Sequence, residues 1–526
     1  MSENKKLWVK ISGIDMDLEA WELIRLFFDE DLFTFIKEGF NEESFTPGAL
    51  LNVTVINGED WVCKVDYFSD IERLDFINNL ESSDIKPQYS CKRQVSADDI
   101  RKPGGRLLKS KKILAGACIY DVLAKVTGKK LPYGSLTGIR PVKLAMLCIE
   151  DELDKPATIK HLVKSTSMNE EKASLLYDIA VVERPFINID PKSVHLYIGI
   201  PFCKSRCLYC SFTSYPIERY RSLIPAFLDA LLKEILFVKK MVDENKLIIK
   251  SVYIGGGTPT ALDNSNLDRI LQFVNESFDI NNAEFTVEAG RPDTITYEKL
   301  QTMKMNNITR ISINPQTMNA STLKTIGRNH TPEEVVEKFK MSRDMGFDNI
   351  NMDIIAGLPN EDENMFRHTL ECIERMAPES LTVHTMAIKR ASILHENIET
   401  CNYNYNLTPD KTVETMIKDA RQTAMNMGMR PYYLYRQKNI LANLENTGYA
   451  KVGYECAYNI HTMEEVQSII AMGPGAISKF VSPDGQRIQR TCNVKDVAQY
   501  IDRIDEMLER KKIAYENINI VHDIQR

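Results

Sequence analysis

The sequence predicts an α/β protein whose centre is a partial, open barrel of six strand–helix units, with an α+β module before it and a mixed segment after it. Three observations carry that prediction. Between residues 191 and 395 six short apolar runs recur, each followed by residues with helical periodicity, and such alternation implies parallel strands joined by crossovers. A chain of 526 residues has room for about three or four folding units. Its 43% hydrophobic and 26% charged residues are the balance of an ordinary globular protein.

Composition also excludes function classes. A formal charge of −7 without a Lys/Arg-rich block argues against a nucleic-acid-binding protein. No apolar run approaches the roughly 20 residues that a membrane helix needs. Residues 1–6 lack the apolar stretch of a signal peptide. The expected compartment is the cytoplasm.

Four regions follow in order. In residues 1–95, Lys6–Ser12 alternates like a strand and Leu18–Asp29 reads as an amphipathic helix. Leu50–Ile56 and Trp61–Tyr67 flank Asn57-Gly58, a strong hairpin signal, and a helix is expected near Asp70–Leu80. Residues 96–190 read as mainly helical, with a loop punctuated by Gly and Pro from Leu131 to Pro141 that a packing role explains best. The barrel strands are expected at His195–Pro201, Ser251–Gly255, Glu284–Glu288, Arg310–Asn314, Asn349–Ile355 and Leu381–Met386. Helical stretches lie between them at Ile217–Val242, Leu267–Phe278, Tyr297–Met305, Pro332–Met345 and Glu363–Met376. Residues 396–526 hold a helix at Asp410–Met427, a Tyr-rich stretch at Pro431–Arg436, the turn Gly473-Pro474-Gly475 and a charged C-terminal helix.

Of 11 cysteines, three cluster: Cys203, Cys207 and Cys210 in PFCKSRCLYCSF. The other eight read as isolated core fillers. A structural zinc site wants four closed ligands, and no second Cys/His pair lies nearby. A [4Fe–4S] cluster normally takes four thiolates. Three would leave one iron open to a substrate or cofactor, and the loop follows the first strand of a parallel array, where catalytic loops belong. The sequence therefore points to an iron–sulfur cluster. Tyr197, Tyr209 and Phe212 surround it in sequence, as shielding aromatics or as core.

Polar or glycine residues recur where each apolar run stops. Gly255-Gly256-Gly257-Thr258 lets a ligand approach the backbone. Glu288, Gln316, Arg328, Asp353, His384 and Ala387 follow at or just beyond the later runs. Asp353 in particular sits in an apolar context where unpaired burial is costly. A common pocket explains the series better than six unrelated surface residues do.

These residues resemble the radical S-adenosylmethionine (SAM) superfamily, whose motif is CxxxCxxC. YIGIPFCKSRCLYCSF, YIGGGTPT, VEAGRPDT, INPQT, GRNH and MDIIAGLP appear in order. That series is similar to the oxygen-independent coproporphyrinogen III oxidase (coproporphyrinogen dehydrogenase) group. The long N-terminal part, GSLTGIRP and YYLYRQKN make the chain most similar to the longer, HemZ-type members, over nearly its whole length.

The resemblance implies a partial (β/α)6 radical SAM barrel with a C-terminal covering domain. It implies a [4Fe–4S] cluster on Cys203, Cys207 and Cys210, and SAM held by Tyr197, Gly256 and Glu288, with Ile477 a further carry-over. Tyr209, Gly257, Thr258, Gln316, Arg328, Asp353 and Ala387 match positions that line a second SAM site in porphyrinogen-processing members, so one or two SAM molecules are implied. The implied reaction converts propionates of coproporphyrinogen III to vinyl groups, giving protoporphyrinogen IX, with reduced flavodoxin or ferredoxin as electron donor. Arg436, Lys438, Lys389 and Arg390 are candidate clamps for the substrate carboxylates. Two departures bear on this. Phe212 stands where the oxidases carry a fourth cysteine, as in related heme chaperones, and Gly199 replaces the family's histidine. The chaperones' HNxxYW stretch is not reproduced by Tyr458-Asn459-Ile460-His461-Thr462-Met463. The alternative to the enzyme is thus a heme-binding chaperone.

Overall fold

The computed structural model describes residues 5–520 apart from 38–39, 41–43, 58–59, 73–76, 78–79, 81–84, 96–110, 139, 213 and 402–403. The chain divides into two compact units, Met1–Val181 and Val182–Arg526. The first pairs the two N-terminal segments anticipated from sequence, and the second joins the barrel to the segment that follows it.

In the first unit five strands form one sheet in the order β2-β1-β3-β4-β5. They are β1 (Lys6–Ser12), β2 (Phe33–Phe35), β3 (Gly48–Asn57), β4 (Trp61–Ile71) and β5 (Tyr89–Val95). β1 runs parallel to both neighbours, and β3–β4 is the antiparallel hairpin expected from the alternating runs, with Val55 opposite Cys63. Gly58 of the predicted turn lies outside the described residues, as does most of the helix expected near Asp70–Leu80. The helix near the start is shorter than its pattern, Asp17–Ile24. Lys111–Thr127 buries Ala115, Cys118, Ile119, Val122 and Leu123, a stripe at helical spacing, in one core with Val53, Val55 and Val65 of the sheet. Three cysteines read as isolated meet here: Cys118 Sγ lies 3.6 Å from the Cys63 carbonyl oxygen and 3.1 Å from Cys91 Sγ. Cys401 and Cys492 are exposed and fill no core.

The second unit is built on an eleven-stranded sheet. Its heart is six strands, each parallel to the next in chain order: β6 (Ser193–Ile200), β9 (Ile248–Gly256), β10 (Glu284–Glu288), β11 (Arg310–Ser312), β12 (Ile350–Ala356) and β13 (Ser380–Thr385). The short pair β7 (Phe202–Cys203) and β8 (Tyr215–Pro216) brackets the cysteine loop. Helices Ile224–Asn245, Asn264–Ser277, Tyr297–Met305, Pro332–Asp344 and Glu363–Met376 make the crossovers. Four of them start where the sequence supplies a cap. Asp263, Thr296, Thr331 and Asp362 each accept a hydrogen bond from a backbone N–H of the first turn, and Thr331 with Glu334 forms a full capping box.

Strand alternation separates two faces. On β12, Ile350, Met352 and Ile354 join the large core shared with the helices, whereas Asn351, Asp353 and Ile355 face the barrel cavity. The segment after residue 396 extends this same sheet at both edges. β14 (Arg430–Tyr435) and β15 (Asn446–Ala450) add to β13, while β16 (Ser468–Met472) runs parallel to β6 and continues into β17 (Ile477–Val481) and β18 (Ile488–Cys492). Behind the Gly473-Pro474-Gly475 turn lies the buried carboxylate of Glu234. It accepts from Gly473 N at 2.8 Å, Tyr500 Oη at 2.6 Å and Asn493 Nδ2 at 2.8 Å, and pairs with Lys511 at 3.1 Å. No described helix is long and apolar enough to cross a membrane.

Candidate active site at the strand ends

A cavity of about 350 Å³ opens at the C-terminal ends of the parallel strands, the end at which such arrays bind ligands. Each strand delivers residues to it. The loop after β6 brings Cys203, Cys207, Tyr209, Cys210 and Phe212, and Gly256 ends β9 with Gly257 and Thr258 directly after it. Glu288 ends β10, with Gly290 and Arg291 beyond it. Asn314, Gln316 and Arg328 come after β11, Asp353 lies on β12, and His384, Ala387 and Lys389 come from β13 and the residues beyond it.

Of the residues singled out from sequence, Tyr197 and Ile477 do not line this cavity. Tyr197 lines a second cavity of about 450 Å³, which shares Gly256, Ser211, Phe212 and Ser214 with the first. Ile477 is 46% exposed and lines neither, although Gly475 and Ala476 before it line the second. Among the clamp candidates Lys389 lines the first cavity. Arg436 is buried and spends its guanidinium on the turn after it, donating to Asn443 Oδ1 at 2.6 Å. Lys438 and Arg390 are exposed.

The glycine triplet has a steric reason. Gly256 has φ +106°, a backbone conformation that side chains disfavour, and a Cβ on Gly257 would sit 2.5 Å from the Phe202 carbonyl oxygen and 3.0 Å from Cys203 Sγ, so Gly257 accepts no side chain without displacing the cysteine loop. Burial pushes the Cys203 thiol up to about 11 and the Cys210 thiol upward too. Thiols of this kind ionise when a metal centre draws off the proton. Among the described residues no three His, Cys, Asp or Glu side chains meet at a point that suits a single metal ion. A cluster asks something else of them, since each thiolate binds a different iron and the donors must surround a volume. Cys203, Cys207 and Cys210 line one cavity and lie close enough for their charges to interact.

Two more features fit a polar ligand. Gln316 holds φ +67°, a strained conformation of the kind kept at functional sites, and its buried Oε1 has no partner. Arg328 donates to the Asn314 carbonyl at 2.6 Å, and its buried Nε has no hydrogen bond. Glu288 accepts from Tyr253 Oη at 2.6 Å, yet burial, reinforced by Asp353, pushes its carboxyl up to about 7. Burial also pushes Asp353 up, but His384, Asn351 and Arg310 outweigh it and hold that carboxyl below its ordinary range.

Residues 197–373 match the radical SAM superfamily. The chain is 38% identical over 464 residues to the oxygen-independent coproporphyrinogen-III oxidase-like protein HemZ of Bacillus subtilis (strain 168), across 85% of this chain and 92% of that one. The chain belongs to this oxidase-like family of radical SAM proteins. A heme chaperone, HemW of the same organism, is 28% identical over 314 residues, 59% of this chain and 76% of its own. The solved structure described as coproporphyrinogen III oxidase (HemN) from Escherichia coli overlays with a TM-score of 0.49 at 21% identity, covering 62% of this chain and 72% of that one.

Sequence reasoning missed several residues of the cavity. Tyr253, Arg310, Tyr433, Tyr435, Asn446, Asn459 and Met463 also line the cavity. Tyr253 was legible, since it alternates with Gly255 on β9. Tyr458 stacks on Tyr253 with centroids 4.6 Å apart, a contact across 205 residues that no local pattern announces.

Proposed function

We propose that this protein is a radical SAM enzyme that converts propionates of coproporphyrinogen III to vinyl groups. What carries the reading is the gathering of three loop cysteines and the glycine, Glu288, Gln316, Arg328 and Asp353 strand-end series around one cavity. The relation to an oxidase-like protein over most of the chain supports it. In this reading Cys203, Cys207 and Cys210 hold a [4Fe–4S] cluster, and Tyr197, Gly256 and Glu288 hold SAM beside it, with Ile477 as a further contact. Tyr209, Gly257, Thr258, Gln316, Arg328, Asp353 and Ala387 receive either a second SAM or the substrate side of the first. When bound, the cluster and SAM supply one-electron chemistry that removes a hydrogen atom from the substrate.

The chain's own part is positional and electrostatic. Each propionate gives up carbon dioxide, one hydrogen atom to the chemistry that SAM supplies and one electron to an external one-electron acceptor, and becomes a vinyl group. The Lys389 ammonium at the cavity wall is placed to hold a carboxylate while this happens. Glu288 and Asp353 offer acceptors to an ammonium or a ribose hydroxyl, and the stacked Tyr197, Tyr253 and Tyr458 rings keep water from the interior. Reduced flavodoxin or ferredoxin in the cytoplasm is the proposed electron donor.

A second reading, heme carriage, is favoured by Phe212, 65% exposed where a fourth cysteine would stand. One anaerobic experiment separates the two. Reconstituted protein with SAM, reductant and coproporphyrinogen III should yield a product lighter by the mass of each decarboxylation. Intact propionates together with stoichiometric heme binding would establish the carrier instead.

A further inference from the structure

The GRPD segment after β10, which the proposed reaction leaves without a role, places a buried guanidinium against the cysteine loop. Arg291 is 2% exposed. Its Nη1 donates to the Ser205 hydroxyl at 2.8 Å and to the Ser205 carbonyl at 3.1 Å, and lies 4.0 Å from Cys207 Sγ. Its other face is paired with Asp293, Nε to Oδ1 at 3.1 Å and Nη2 to Oδ2 at 3.2 Å, and Lys204 reaches that same carboxylate at 3.4 Å. The three thiols therefore meet different groups. Cys203 Sγ faces the Thr258 hydroxyl at 3.5 Å, Cys207 lies between the buried guanidiniums of Arg291 and Arg328, and Cys210 lies near Lys389 and Arg206.

We propose that Arg291 sets the reduction potential of the cluster by donating to the Cys207 sulfur, with Asp293 offsetting part of its charge. The inference rests on the cluster assignment above and goes beyond it. Hydrogen bonds to the sulfurs and net charge near the cluster set iron–sulfur potentials. One-electron reduction adds a negative charge and breaks no bond, so a neighbouring cation in a poorly screened site favours the reduced form. Removing the guanidinium should lower the potential, and removing the Asp293 charge should raise it. A brace that only tied Ser205 in place would move neither.

The test is an anaerobic redox titration of the full-length protein with its cluster reconstituted, without SAM or substrate, read by electron paramagnetic resonance of the reduced cluster. Iron and sulfide per chain are measured alongside. Arg291→Gln should shift the reduced-to-oxidised ratio at fixed potential about tenfold toward oxidised, about 59 mV for one electron. Arg291→Lys should fall between Gln and the parent, and Asp293→Asn should shift in the opposite sense. Unchanged potentials at full iron content overturn the proposal. If Arg291→Gln cannot hold iron, an unmoved potential in Asp293→Asn overturns it as well, leaving Arg291 a brace. A parent protein that takes up no iron would defeat the cluster assignment itself, a separate outcome.

Discussion

Glu288 lies beneath the glycine triplet, with its carboxyl carbon 3.0 Å from where a Cβ on Gly255 would stand, and its protonation is tuned by that confinement. Its carboxyl is raised from 4.5 to about 7, so the folded state keeps a proton that the unfolded chain has lost. Stability from this group falls as pH rises from about 4.5 to 7 and levels off above. A ligand ammonium needs the ionised form. SAM affinity measured by calorimetry should therefore rise about tenfold from pH 6 to pH 8, and Glu288→Gln should bind weakly with no such rise. A flat profile in the parent protein would count against this carboxylate as the partner. At the same scale, Gly257→Ala should cut iron and sulfide per chain severely by pushing the Cys203 loop outward, and Cys207→Ala should abolish cluster absorbance. Both are read after anaerobic reconstitution. The site was most legible at this scale. CxxxCxxC, the glycines, Glu288 and Asp353 identify themselves by residue type in an apolar context. Arg291 did not, because its meaning depends on Ser205, 86 residues away.

At the scale of elements, the six parallel strands follow from apolar runs at the right length, and the helix starts from Asp and Thr caps. The edges do not. β15 reads Asn-Thr-Gly-Tyr-Ala and β17 Ile-Ser-Lys-Phe-Val; neither carries the apolar run that marks the barrel strands. They form because the open sides of the barrel offer unpaired backbone donors and acceptors that must be satisfied. One element-scale prediction concerns Glu234 on the helix Ile224–Asn245. Lys511→Met removes the cation facing this buried carboxylate and should destabilise the protein by about 3 kcal/mol, seen as a lower denaturation midpoint at unchanged slope. A change below about 0.5 kcal/mol would mean that the Tyr500, Asn493 and Gly473 donors suffice.

Across the whole molecule, every proposed ligating residue belongs to the unit Val182–Arg526, while Met1–Val181 has its own sheet and core. A ligand stabilises the part that binds it by mass action. Hydrogen exchange with and without reconstituted cluster and SAM should then show protection gained within 182–526, concentrated in the loop 201–212 and the residues following β9 and β10. Equal protection spread over residues 5–181 would contradict the assignment.

The sequence by itself determined the six-strand array, the residues at its ends and the family they resemble, because strand period, caps and motif spacing are properties of neighbouring residues. Tertiary structure alone decided that the C-terminal segment completes the same sheet, that Arg436 turns away from the cavity, and that Arg291 meets Cys207. Those outcomes depend on which distant groups closure of the fold brings within reach, and on the cost of leaving a buried charge or backbone group without a partner.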